Sequence, residues 1–240
     1  MRRRFFVEKF EAGRARLDHE AAEHLGRVLR AQPGQVYELS DGHDLWLGEI
    51  ESASKKLVEF RLLEQLPVSP SSLHVTLLLA IVKFDRFEWA LEKATELGVA
   101  QIAPLIAERS EKGLVAAAVK RAERWRKILH ESAQQARRLA PPELLGPRPL
   151  RECQPESSEI SIFFSERHDA STLSTILTGS ASAQRVTIAI GPEGGWTDEE
   201  VALARKHGFR EASLGKLILR TETAVVSALA ALNYALGEAP

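Results

Sequence analysis

Two segments of the chain combine glycines with charged and hydroxyl side chains in a way that suits ligand chemistry. The first is Gly191-Pro192-Glu193-Gly194-Gly195, which follows the apolar run Ile188-Ala189-Ile190 and precedes Trp196 and Thr197. Glycines at the carboxyl end of a buried strand let the backbone approach a ligand closely. The second is Leu214-Gly215-Lys216-Leu217-Ile218-Leu219-Arg220-Thr221-Glu222-Thr223-Ala224, where Arg220, Glu222 and two threonines crowd the mouth of an apolar stretch. A purely structural connection rarely needs Arg and Glu at such a place. Two such loops at strand ends can meet to form one pocket. The spacing is neither the dinucleotide fingerprint nor a Walker loop, since the glycine intervals differ and no Lys-Ser/Thr pair follows. The plain structural readings are a tight strand–helix turn for the first segment and a Thr221 helix cap for the second.

The elements that must hold these loops alternate between strand and helix. Residues 73–82 form a continuous apolar run, as expected of a strand buried on both faces. A helix over 84–97 follows, with Phe87, Ala90, Leu91, Ala94 and Leu97 at helical spacing and Gly98 as its stop. Strands are expected over 101–107, 160–165, 186–190 and 212–214, and helices over 118–139, 197–207 and 221–236. Thr197 and Glu200 have the spacing of a capping box. Such alternation argues for a parallel α/β sheet. Upstream, strands over 5–10, 35–40, 44–52 and 56–63, a helix over 18–30 capped by Asp18 and a hairpin signal at Asp41-Gly42 predict a small β-barrel. The Pro/Ser-rich stretch 66–72 is the linker candidate, giving domains over 1–68 and 73–240.

Composition bounds the function classes. With 240 residues, 44% of them hydrophobic and 27% charged, the chain can bury a sizeable core and is not a disordered or fibrous protein. One cysteine, Cys153, forms no internal disulfide, the seven histidines are scattered, and no spacing offers a metal site. No apolar run is long enough to span a bilayer, and no signal peptide is evident, so a cytoplasmic protein is expected. Net charge is −1, but residues 120–151 hold nine Lys/Arg against three Glu. Such segregation fits either a local phosphate-binding face or a solvated helix surface.

Gly-Pro-Glu-Gly-Gly-Trp at 191–196, with Leu-Gly-x-x-Ile-Leu-Arg-x-Glu-Thr-Ala at 214–224, resembles the RsmE family of ribosomal RNA methyltransferases, members of the SPOUT superfamily. The resemblance spans essentially the whole chain. His24-Leu25-Gly26-Arg27-Val28-Leu29-Arg30, Gly34 and Asp41-Gly42 look like that family's PUA-like RNA-binding domain. Lys83, Glu92-Lys93, the segment 95–99 and Glu108-Arg109-Ser110 match its central region. Glu131, Gln135, Arg138 and Pro141 fit a further pattern, with Ala136 standing where the family has Ser or Cys. The resemblance implies a SPOUT α/β domain with a deep trefoil knot, a homodimer with active sites at the subunit interface, and no metal. It implies S-adenosylmethionine as methyl donor and N3 of a uridine in 16S rRNA of the small subunit as acceptor.

On that reading Ile190, Gly191, Gly194, Gly195, Leu214, Gly215, Leu217, Ile218, Leu219 and Thr223 hold the donor, although each apolar side chain also suits plain core packing. Arg220 stabilises charge on the uracil oxygens, and Glu193 or Glu222 accepts the N3 proton. Alternatively Glu222 only pairs with Arg220, and Glu193 only braces its loop. Arg2, Arg3, Arg4, Arg27, Arg30, Arg109, Arg137 and Arg138 are the candidate RNA contacts. Two other readings fit the residues: a SPOUT enzyme acting on another RNA, and a non-catalytic RNA-binding module of ribosome assembly.

Overall fold

The computed structural model describes residues 3–18, 22–23, 25, 31–69, 71–155, 160–167, 169–178 and 183–237. The chain divides into two compact units, one of residues 1–70 with 133–141 and one of 71–132 with 142–240. The division near residue 70 falls inside the Pro/Ser-rich stretch.

In the first unit, strands β1 (Arg4–Phe6), β2 (Arg14–Asp18), β3 (Val36–Ser40), β4 (Leu45–Ala53) and β5 (Leu57–Gln65) form one mixed sheet in the order β1-β3-β4-β5-β2. It curls around Phe5, Leu17, Leu39, Ile50, Val58 and Phe60. Alternation drives β2, whose Ala15 and Leu17 are buried while Arg14, Arg16 and Asp18 face outward. Asp18 therefore ends a strand, where a helix cap was expected; most of the expected 18–30 helix lies outside the described residues. The Asp41-Gly42 turn forms as expected, with Gly42 at φ 93° and the Asp41 carboxylate accepting from the amides of His43 and Asp44.

Residues 133–141, expected in the larger domain, group with this unit. Glu38 is buried and binds the guanidinium groups of both Arg4 (2.9 Å) and Arg137. The Ser40 hydroxyl donates to the Leu139 carbonyl (2.7 Å). Arg137 sits in the left-handed region at φ 54°, which costs a non-glycine residue about 1–2 kcal/mol.

The second unit is an all-parallel sheet in the order β11-β13-β10-β12-β6-β7-β8, with β9 also beside β7. Its strands are β6 (His74–Ala80), β7 (Gln101–Ile106), β8 (Glu143–Leu144), β9 (Arg148–Pro149), β10 (Ile160–Phe164), β11 (Ser171–Thr172), β12 (Arg185–Ile190) and β13 (Arg210–Ser213). Helices are α1 (Phe84–Glu96), α2 (Lys112–Gln135), α3 (Leu173–Leu177), α4 (Asp198–Lys206) and α5 (Thr221–Leu236). The central strands are buried on both faces, which is why they read as unbroken apolar runs. On one side Leu77, Leu79 and Ile188 join Phe87, Leu91, Trp125, Val225 and Leu229 in the main core. Helix α2 begins at Lys112, six residues before the expected start, despite Gly113 in its first turn. It ends at Gln135, because the left-handed Arg137 closes it without a glycine. Helices α1 and α4 stop where Gly98 (φ 87°) and Gly208 (φ 85°) reverse the chain.

Candidate active site

Because every strand of the second sheet runs the same way, all its carboxyl ends lie on one edge. Strand β12 enters between β10 and β6, and β13 then passes to the far side of β10. Open α/β sheets bind ligands at such a reversal of strand order, outside the carboxyl ends. The two glycine-containing segments are the loops that leave β12 and β13. A hydrogen bond joins them: the buried Thr221 hydroxyl, at the first turn of α5, donates to the Gly191 carbonyl (3.0 Å).

The β12 loop is held from several sides. A Cβ on Gly191 would lie 2.7 Å from the Trp196 ring, so only glycine lets the indole fold back over the loop's first residue. That ring stacks at 4.5 Å on Phe163 and donates through Nε1 to the Phe164 carbonyl (2.8 Å), tying the loop to the end of β10. The Gly195 amide donates to the Pro192 carbonyl (2.9 Å), closing a turn that leaves Gly195 at φ 69°. Thr197 and Glu200 form the expected reciprocal capping box at the start of α4. Glu200 is buried and its other carboxylate oxygen accepts from the Glu108 amide (2.9 Å), in the loop after β7. Glu193 pairs with Arg86, on the first turn of α1. The Arg109 guanidinium donates to the Gly194 carbonyl (2.7 Å).

The β13 loop is more open. Gly215 has φ 126°, a conformation that other residues rarely adopt, and the Ser213 hydroxyl accepts from its amide (3.2 Å). Leu217 and Ile218 are 80% and 79% exposed. Core packing therefore does not account for these two, whereas it does account for Ile190, whose side chain is fully in the core, and for the partly buried Leu214. Leu219 is half-buried, and Thr223 is exposed on the first turn of α5. Arg220 caps α5 through its carbonyl, and its exposed guanidinium engages no partner among the described residues. Glu222 does not pair with it. Instead its Oε2 is buried with no hydrogen-bond partner among the described residues, beside the helix N-terminus.

The candidate RNA contacts separate. Arg2, Arg27 and Arg30 lie outside the described residues. Arg3 is exposed; Arg4 and Arg137 are engaged by Glu38; Arg138 is half-buried, and burial pushes its guanidinium below its ordinary value. Within the basic stretch 120–151, Arg121 and Arg124 both converge on Glu88. Glu88 therefore offsets part of that positive charge. The residues that sequence reasoning missed are Arg86, the Trp196 brace and the Glu200–Glu108 bond. Trp196 after a glycine pair was a usable signal; nothing local marks Arg86, 107 positions before its partner.

Among the described residues no helix is long and apolar enough to cross a membrane, and no group of three potential metal ligands occurs. Residues 69–233 match the family model of the RNA methyltransferase domain, and residues 17–63 that of the RNA methyltransferase PUA domain. The ribosomal RNA small subunit methyltransferase E of Bacillus subtilis is 30% identical, with 96% of each chain covered. That of Synechocystis sp. is 35% identical over 88% of this chain and 69% of its own length. The structure superposes with a TM-score of 0.90, at 31% identity over 99% of both chains, on the Neisseria gonorrhoeae ribosomal RNA small subunit methyltransferase E bound to S-adenosyl methionine. A putative methyltransferase of Legionella pneumophila with bound cofactor gives a TM-score of 0.89 at 33% identity over the full length of both.

Proposed function

The chain belongs to the ribosomal RNA small subunit methyltransferase E (RsmE) family, and on that premise we propose that it methylates N3 of a uridine in 16S rRNA with S-adenosylmethionine as donor. The observation that carries this reading is the Thr221–Gly191 hydrogen bond, which joins the two glycine loops at the reversal point of a parallel sheet. The residues suit the donor. Leu217 and Ile218 offer apolar surface for a purine, and the loop backbones of 190–195 and 214–219 offer amides and carbonyls to its edge.

When bound, S-adenosylmethionine supplies an electrophilic methyl group on a cationic sulfur. The chain's own residues have to lower the cost of taking the proton from N3, which is only weakly acidic. Arg220 does this electrostatically: its unengaged guanidinium holds the negative charge that spreads onto uracil O2 and O4. Glu222 is the proton acceptor that the surroundings favour, because its Oε2 has no partner while the Glu193 carboxylate is engaged by Arg86. The small β unit and its exposed arginines bind the RNA, the protein acts as a cytoplasmic homodimer, and its donor loops are those of a trefoil knot.

The test is transfer of labelled methyl groups to purified small ribosomal subunits, with nucleoside analysis. N3-methyluridine at one position, lost in Arg220→Ala with donor binding intact, is the expected result. Label in another nucleoside overturns the acceptor, and normal turnover by Arg220→Ala overturns the role of that residue. Absence of donor binding points to a non-catalytic RNA-binding module.

A further inference from the structure

Arg109 follows the carboxyl end of β7 and is exposed, so it reads naturally as a phosphate contact. Its surroundings argue for another role. Its aliphatic stem lies against Gly194, where an added Cβ would meet Arg109 Cβ at 3.4 Å and Cδ at 3.5 Å. Its Nη1 donates to the Gly194 carbonyl at 2.7 Å. The segment that carries it is itself anchored, for the preceding Glu108 amide donates to Glu200, the partner of Thr197 in the capping box of α4 at the far end of the same loop. A relay thus runs from Glu200 through Glu108 and Arg109 back to Gly194.

Two successive glycines have the greatest conformational freedom a dipeptide can have, and ordering them on ligand binding is costly. The turn's own hydrogen bond, Gly195 to Pro192, fixes one side of the Gly194–Gly195 peptide only. We propose that Arg109 is a positioning residue that presets this peptide for the methyl donor, and that it is not a phosphate contact. The inference rests on the reading of these loops as the donor site. By ordering the turn before the donor arrives, Arg109 removes an entropic cost that the donor would otherwise bear.

The experiment combines donor titration calorimetry, without RNA, with the salt dependence of small-subunit binding, on wild type, Arg109→Ala and Arg109→Lys. Loss of a charge-assisted hydrogen bond should raise the donor Kd of Arg109→Ala about tenfold and its donor KM in parallel. Its salt slope should remain that of wild type. Arg109→Lys, which can still reach a carbonyl, should recover most of the affinity. An unchanged donor Kd overturns the proposal, whether the salt slope stays the same or falls by about one, the signature of a lost phosphate contact. Wild-type protein that binds no donor overturns the proposed function itself, an outcome visible before any variant is compared.

Discussion

Replacing Gly191 by alanine isolates one steric contact. The backbone at Gly191 is outside the left-handed region, so alanine suits its dihedral angles. What alanine cannot avoid is the indole, because its Cβ would sit 2.7 Å from Trp196 Cε2 and 2.8 Å from Nε1. Carbon contacts are comfortable at about 3.5–4.0 Å, so the ring must retreat by roughly 1 Å. That retreat strains a 2.8 Å hydrogen bond to Phe164 and a 4.5 Å stack on Phe163, each contributing about 1 kcal/mol. Crowding a packed site costs about 1–3 kcal/mol, so we expect Gly191→Ala to lose about 2 kcal/mol. In a unit of this size that lowers its Tm by about 4–8 °C. The assay is calorimetric unfolding of Gly191→Ala, Trp196→Ala and the double variant. Alanine at 196 removes the ring altogether, so alanine at 191 should cost under about 0.5 kcal/mol in that background. An equal cost in both backgrounds would refute the argument, since the penalty would then not come from the ring.

Glu200→Ala removes the carboxylate half of the capping box on α4 and the acceptor of the Glu108 amide, and should destabilise the second unit by about 2 kcal/mol in thermal unfolding. Glu38→Ala leaves Arg4 and Arg137 facing each other without their carboxylate and should cost the first unit about 3 kcal/mol, read by urea unfolding. Burial pushes the Cys153 thiol up to about 11, so native protein should resist a disulfide reagent at pH 8 while urea-unfolded protein reacts at once. Since that value lies above the thiol's ordinary 9.0, the unfolded chain loses this proton first. Stability should fall between about pH 9 and pH 11, and Cys153→Ser should show a smaller fall.

Periodicity and punctuation are local properties, and they determined much of this protein. The bounds of α5, the stops at Gly98 and Gly208, the Asp41-Gly42 turn and the Thr197–Glu200 box follow from residues within a few positions of one another. The motif residues around 191 and 214 likewise identify the loops and the family from the sequence alone. Other features depended on distant parts of the chain. Arg137 ends α2 in a conformation that lacks the usual glycine and pairs with Glu38, and no neighbouring residue announces this. Leu217 and Ile218 look like core residues by type, and only the fold leaves them uncovered. Arg109 and Arg86 have identical charge to any surface arginine; the sheet order set their strand ends beside β12 and gave each a partner more than eighty positions away. Local spacing therefore sufficed to name the elements and the loops, while the roles of the arginines came from long-range pairing, which only the tertiary structure decides.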